Sequence, residues 1–146
     1  MTIRQLHFML ACLVSIYSHS VAAVELRSID VHTGTASLLS TPLVIENSSP
    51  WSIQCTAQLA HWYSSRVIAL ASETRGSIPL WFDPATGTII LLNEHLENLP
   101  VEAIACTVPA HSGMPRSILA LQRSRFVDPA VRHIKCANIS GRLACQ

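Results

Sequence analysis

Charge is scarce in this chain: Asp, Glu, Lys and Arg make up 13% of its 146 residues, where a globular domain usually carries about a quarter. Lys135 is the single lysine, and ten Lys+Arg stand against nine Asp+Glu with no run of like sign. Binding a phosphate backbone needs a dense basic face, so nucleic acid is not an expected partner. Catalytic signatures are missing as well. There is no Gly-x-Ser-x-Gly elbow, no phosphate-cradling glycine loop, no His-Glu-x-x-His and no Cys-x-x-Cys pair of the kind that holds zinc or attaches haem. No motif therefore calls for a cofactor, and none calls for an enzyme.

Long apolar runs are absent too. The longest near the start, residues 10–17, is too short to span a bilayer and gives way to Ser18, His19 and Ser20. With Arg4 ahead of it and the small residues Val21, Ala22 and Ala23 behind, residues 1–23 read as a secretory signal peptide cleaved after Ala23. The remaining chain, residues 24–146, has the length of one domain and no stretch that would cross a membrane after cleavage. It carries nine charges of each sign and four cysteines. Neutrality with so few charges is poor for solubility, which points to a surface that a partner covers.

Periodicity supplies the positive evidence. In residues 51–62 the apolar positions Trp51, Ile53, Cys55, Ala57 and Leu59 alternate with Ser52, Gln54, Thr56 and Gln58, the period of a half-buried strand. Residues 99–108 form a second such strand around Cys106. Residues 26–32 look like a first strand. Residues 36–47 read as one strand or two, with Pro42 at an edge or bulge because it cannot donate to a ladder. Residues 66–71 tip towards strand through Val67 and Ile68. A polar turn is expected at 72–76 and a strand at 77–82, with Pro79 again suggesting an edge. Asp83-Pro84-Ala85-Thr86-Gly87 is the strongest reversal signal, predicting a hairpin over 77–92. Beyond it a polar loop is expected at 93–98, an exposed loop at 109–115 and a strand at 117–123. The tail from Phe126 has two readings: a helix start at Asp128-Pro129, or a hairpin turning at Ser140-Gly141.

Seven or eight short strands at intervals of about ten residues predict an all-β fold, a small antiparallel β-sandwich. A core bridge with a tryptophan downstream is similar to the immunoglobulin arrangement. Trp62 comes only seven residues after Cys55, however, and Ile104 stands where a tyrosine corner needs Tyr. The expectation is a sandwich architecture, for which the immunoglobulin-like arrangement is one option, without membership of that family.

Four cysteines allow three pairings. Cys55–Cys106 is favoured because it joins the two core strands, and Cys136–Cys145 because it closes a short loop. Candidate chemistry elsewhere is thin. His61, His95 and His111 could form a copper or zinc site, with Met114 as a further ligand beside His111, but their spacing does not make them meet. The aromatic pairs Trp62-Tyr63 and Trp81-Phe82 say more. Neighbours on a strand point to opposite faces, so one member of each pair should face away from its sheet's core. Exposed Trp and Tyr are anchors at protein interfaces. The expected function is thus a secreted or periplasmic binding protein that engages another extracytoplasmic protein through Trp62, Tyr63, Trp81 and Phe82 or through a strand edge. A metal-binding protein or enzyme using the histidines and a carbohydrate-binding module are the alternatives.

Overall fold

The structure is a computed structural model in which residues 32–60, 63–121 and 132–146 are described. The signal-peptide segment, residues 26–31 of the strand expected at 26–32, His61, Trp62 and the Asp128-Pro129 helix start all lie outside the described residues. Chain contacts group residues 31–146 as one compact unit, and its described parts contain strands and no helix.

The strands are β1 (Leu39–Ser40), β2 (Leu43–Asn47), β3 (Ile53–Leu59), β4 (Ser64–Leu70), β5 (Thr74–Ile78), β6 (Leu80–Asp83), β7 (Thr88–Leu92), β8 (Asn98–Thr107), β9 (Ser117–Ala120), β10 (Arg132–Ile139) and β11 (Arg142–Cys145). They form a larger sheet in the order β1-β6-β7-β8-β3-β4, with β9 also on β8, and a smaller one in the order β11-β10-β2-β5. Strand β8 is long enough to hold β7 along its first half and β9 along its second, while β3 takes its other edge. All pairings are antiparallel except β2 with β10, which run parallel.

Strand β3 buries every second residue, from Ile53 to Leu59, as its alternation requires. The inward faces of both sheets meet in one core that includes Ile45, Ile53, Ile78, Phe82, Val101 and Ile104. Both disulfides form as expected, Cys55–Cys106 and Cys136–Cys145. Each joins residues directly opposite on neighbouring strands of a single sheet. The immunoglobulin arrangement, a bridge between two sheets, is therefore not the one used here.

Two segments, 36–47 expected as one strand or two and 77–82 expected as one, are divided between the sheets where a proline removes a donor. The segment before Asn47 splits at Pro42, with β1 in the larger sheet and β2 in the smaller. Pro79 separates β5 from β6 in the same way, so the strand expected at 77–82 belongs to two sheets. The turn expected at 72–76 is shorter than that: Glu73 takes φ of 57° at the corner, and Thr74, Arg75 and Gly76 are already strand. The tail is the hairpin, reversing at Ser140 (φ 52°) and Gly141 (φ 79°), a pair of left-handed residues that suits the twist of two-residue hairpins.

Asn47 ties these crossings together. It is fully buried, and its Nδ2 donates to Trp51 O (2.8 Å), Ala71 O (2.8 Å) and, more weakly, Leu70 O (3.4 Å). Its Oδ1 accepts from Ser49 N–H (3.1 Å) and Ser49 Oγ–H (2.7 Å). Ser72 Oγ donates to Ser49 O at 2.7 Å across the same corner. One side chain thus closes both the β2–β3 turn and the β4–β5 corner, where the chain passes between sheets. Asn47-Ser48-Ser49 matches a glycosylation sequon, but this buried and occupied amide is closed to modification in the folded domain.

Candidate functional site

Residues 32–38 lie across the outward face of β6, β7 and β8. Asn98 N–H donates to His32 O (2.9 Å) and Gly34 N–H to Leu96 O (2.8 Å), which fixes the start of the segment. Gly34 carries φ of 77°, a bend that favours glycine. At the other end, β1 pairs with β6, Ser40 opposite Trp81. Between the segment and the sheet is a cavity of about 650 Å³. Its floor is Ile90 with Pro100 opposite it on β8, Leu38 closes one wall, and Asp83, Thr88 and Asn98 supply polar groups.

Asp83 sits at the start of the β6–β7 reversal predicted from sequence. Its Oδ1 accepts from Ala85 N–H (2.9 Å) and its Oδ2 from the Thr86 hydroxyl (2.6 Å), while Gly87 N–H closes the turn on Asp83 O (2.8 Å). The Thr86 hydroxyl is the main reason its carboxyl is held below the ordinary value, with the backbone N–H donors and nearby His32 adding to it and partial burial opposing. Asn98 differs. Its side-chain oxygen is buried and has no hydrogen-bond partner among the described residues, a condition that costs about 1–3 kcal/mol unless something supplies a donor. The cavity therefore combines apolar lining from Ile90, Pro100 and Leu38 with the carboxylate-bearing Asp83 and the polar Thr88 and Asn98, the mixture typical of a binding pocket.

Trp81 adjoins this cavity. It shares the outward face of β6 with Asp83, lies directly opposite Ile90 on β7, and is half-buried. Phe82, its neighbour, points inward and is 3% exposed, so it is a core residue and offers nothing to a partner. Tyr63 is 73% exposed, in the turn between β3 and β4, where its carbonyl accepts from Leu59 N–H (2.8 Å). Tyr63 and Trp81 belong to different ends of the larger sheet's strand order, β4 at one edge and β6 beside β1 at the other.

The described histidines do not converge on a site. His95 is exposed in the 93–97 turn with Glu94 at 3.5 Å. His111 sets its ring edge against Trp51, with centroids 5.4 Å apart and planes at 66°. Met114 N–H closes a turn on His111 O (2.9 Å), and Met114 itself packs against the core. Among the described residues, three or more His, Cys, Asp or Glu donor atoms come together only at Cys106, Cys136 and Cys145, which are in disulfides.

Asn98, Pro100 and residues 32–38 were not legible as site residues. The one local signal was a polar Asn opening a largely apolar strand.

The fold and its bridges define a disulfide-bonded all-β sandwich, of the kind suited to an oxidising, extracytoplasmic setting. No helix among the described residues is long and apolar enough to cross a membrane. No family model matches the chain, and no curated protein does. Among solved structures, an NMR structure of a protein from Eubacterium rectale aligns with 73% of this chain and 86% of that one, at 9% identity and a TM-score of 0.43. A likeness that distant carries no argument.

Proposed function

We propose that this chain is exported by way of residues 1–23 and acts outside the cytoplasm as a non-catalytic binding protein. Its partner is a segment of another extracytoplasmic protein, taken up on the outward face of β6–β8. The observation that carries this reading is a cavity of about 650 Å³ on that face, lined by Ile90 and Pro100, with Trp81 directly opposite Ile90. A partner segment would place an apolar side chain against Ile90 and Pro100. Trp81 at the margin adds the kind of rigid aromatic surface that anchors protein interfaces. Tyr63 is a separate exposed aromatic and is the natural control.

The test is an affinity capture of the exported protein from its native extract, comparing wild type, Trp81→Ala and Tyr63→Ala. A protein retained by wild type and by Tyr63→Ala, but lost with Trp81→Ala, supports the reading. Equal recovery on all three counts against it. Mass analysis of the exported chain tests the cleavage after Ala23.

A further inference from the structure

The two disulfides are in different sheets, yet their sulfurs are neighbours. Cys55–Cys106 joins β3 to β8 in the larger sheet, and Cys136–Cys145 joins β10 to β11 in the smaller. All four cysteines face the shared core. The sulfurs of Cys106, Cys136 and Cys145 lie within 4.8 Å of one another. A hydrogen bond holds the bridges in this relation: Cys145 N–H donates to Ser117 Oγ at 2.9 Å, and Ser117 is paired on β9 directly opposite Cys106. Cys55 is not among the three clustered sulfurs.

We infer that the two bridges form one exchangeable redox unit with Cys106 as its switching atom, able to move a disulfide from within a sheet to between the sheets. The step needs no outside oxidant. When Cys106 is a free thiol, its thiolate attacks the sulfur of Cys136 or Cys145. A Cys106–Cys136 or Cys106–Cys145 bond forms, the Cys136–Cys145 bond breaks, and the displaced sulfur leaves as a thiolate that takes up the proton Cys106 lost. When instead Cys136 or Cys145 is free, the same attack falls on Cys106 and Cys55 is the leaving group. A change of χ1 between staggered wells moves a sulfur by roughly 3 Å, enough to close most of the gap without moving a strand. Partial reduction by a dithiol, which gives two electrons and two protons to one bridge, therefore leaves a single disulfide with three resting places: the larger sheet, the smaller sheet, or across the core through Cys106.

The geometry makes the behaviour asymmetric, and that asymmetry is the test. Full-length chains carrying Cys55→Ser or Cys106→Ser are exported from a disulfide-forming host, quenched in acid, alkylated and mapped by mass spectrometry. Cys55→Ser frees the clustered Cys106, and inter-sheet peptides joining Cys106 to Cys136 or Cys145 are expected, with matching loss of the Cys136–Cys145 peptide. Cys106→Ser frees Cys55, and Cys136–Cys145 should remain whole with Cys55 alkylated. Full retention of Cys136–Cys145 in Cys55→Ser overturns the inference, as does equal scrambling in both variants, which would report exchange through unfolded chain. Should Cys55→Ser fail to fold, the wild-type protein treated with one equivalent of dithiothreitol decides the matter. Inter-sheet peptides through Cys106 support the unit, and native pairs alone refute it.

Discussion

Replacing Asn47 with Ala removes the side chain that closes two crossings between the sheets, and the cost can be worked from its partners. Trp51 O and Ala71 O at 2.8 Å, with the Ser49 N–H at 3.1 Å and hydroxyl at 2.7 Å, are four well-formed hydrogen bonds. At about 1 kcal/mol net for each, their loss amounts to about 4 kcal/mol. That is a large part of the roughly 5–15 kcal/mol that holds a domain folded. With a urea m-value of about 2 kcal/mol/M, the unfolding midpoint should fall by about 2 M. Asn47→Asp sharpens the test, since it preserves size and the acceptor for Ser49 but turns the donor into an oxygen facing three carbonyls. When protonated, that oxygen can still donate one bond; when ionised, it is a buried charge against carbonyl oxygens. The folded-state pKa of this introduced acid is raised, so the variant's stability relative to wild type should fall further as pH rises through the carboxylate range. Urea unfolding followed by tryptophan fluorescence measures both. A midpoint shift for Asn47→Ala equivalent to less than about 1 kcal/mol would refute the idea that this one residue organises the corner.

Gly76→Ala places a methyl 2.5 Å from Ile68 Cδ1 and 2.9 Å from Leu70 Cδ2, an overpacking cost of about 1–3 kcal/mol. Adding Ile68→Val should restore much of it in urea melts, and no coupling between the two changes would contradict the contact. Asp83→Asn tests linkage: the folded-state carboxyl is held below its ordinary 3.8, so its stabilisation is present above that value and is lost as pH falls through the folded pKa. Wild type should thus exceed Asp83→Asn in unfolding midpoint at neutral pH and converge on it in acid; a gap that stays constant excludes the effect. For the bridges, which span 51 and 9 residues, chain entropy gives about 4 and about 2.6 kcal/mol. Cys55→Ala/Cys106→Ala should therefore lower the thermal midpoint more than Cys136→Ala/Cys145→Ala, and the reverse order in calorimetry would show that loop length is not the controlling factor.

What could be read from the sequence was mostly which face a residue occupies. The alternation of residues 53–59 is enough to place Ile53, Cys55, Ala57 and Leu59 in the core, and it does. Local reversals were equally legible, because Asp83 to Gly87 and Ser140-Gly141 specify their own geometry. Which sheet a strand joins is a different kind of information. Residues 77–82 alternate much as a single strand would, and only the lost donor at Pro79 marks where the chain leaves one sheet for the other. The parallel pairing of β2 with β10 joins segments about ninety residues apart, such as Val44 with His133, and leaves no local trace. The same limit applies to the candidate site. Trp81 could be singled out because it precedes Phe82 and must face the other way, but the cavity beside it is made by residues 32–38 folding onto β7 and β8. In the sequence, Asn47-Ser48-Ser49-Pro50 reads as ordinary turn chemistry, because burial of a polar side chain is decided by the segments that come to surround it.

The central claim is that partners are engaged on the outward face of β6–β8 beside Trp81. A photo-crosslinking amino acid placed at Trp81, and separately at exposed Arg75 on β5 of the smaller sheet, tests it in the native host. A discrete crosslinked product from position 81, with none from position 75, is the predicted result. Crosslinking from position 75 alone, or equally from both, would contradict it.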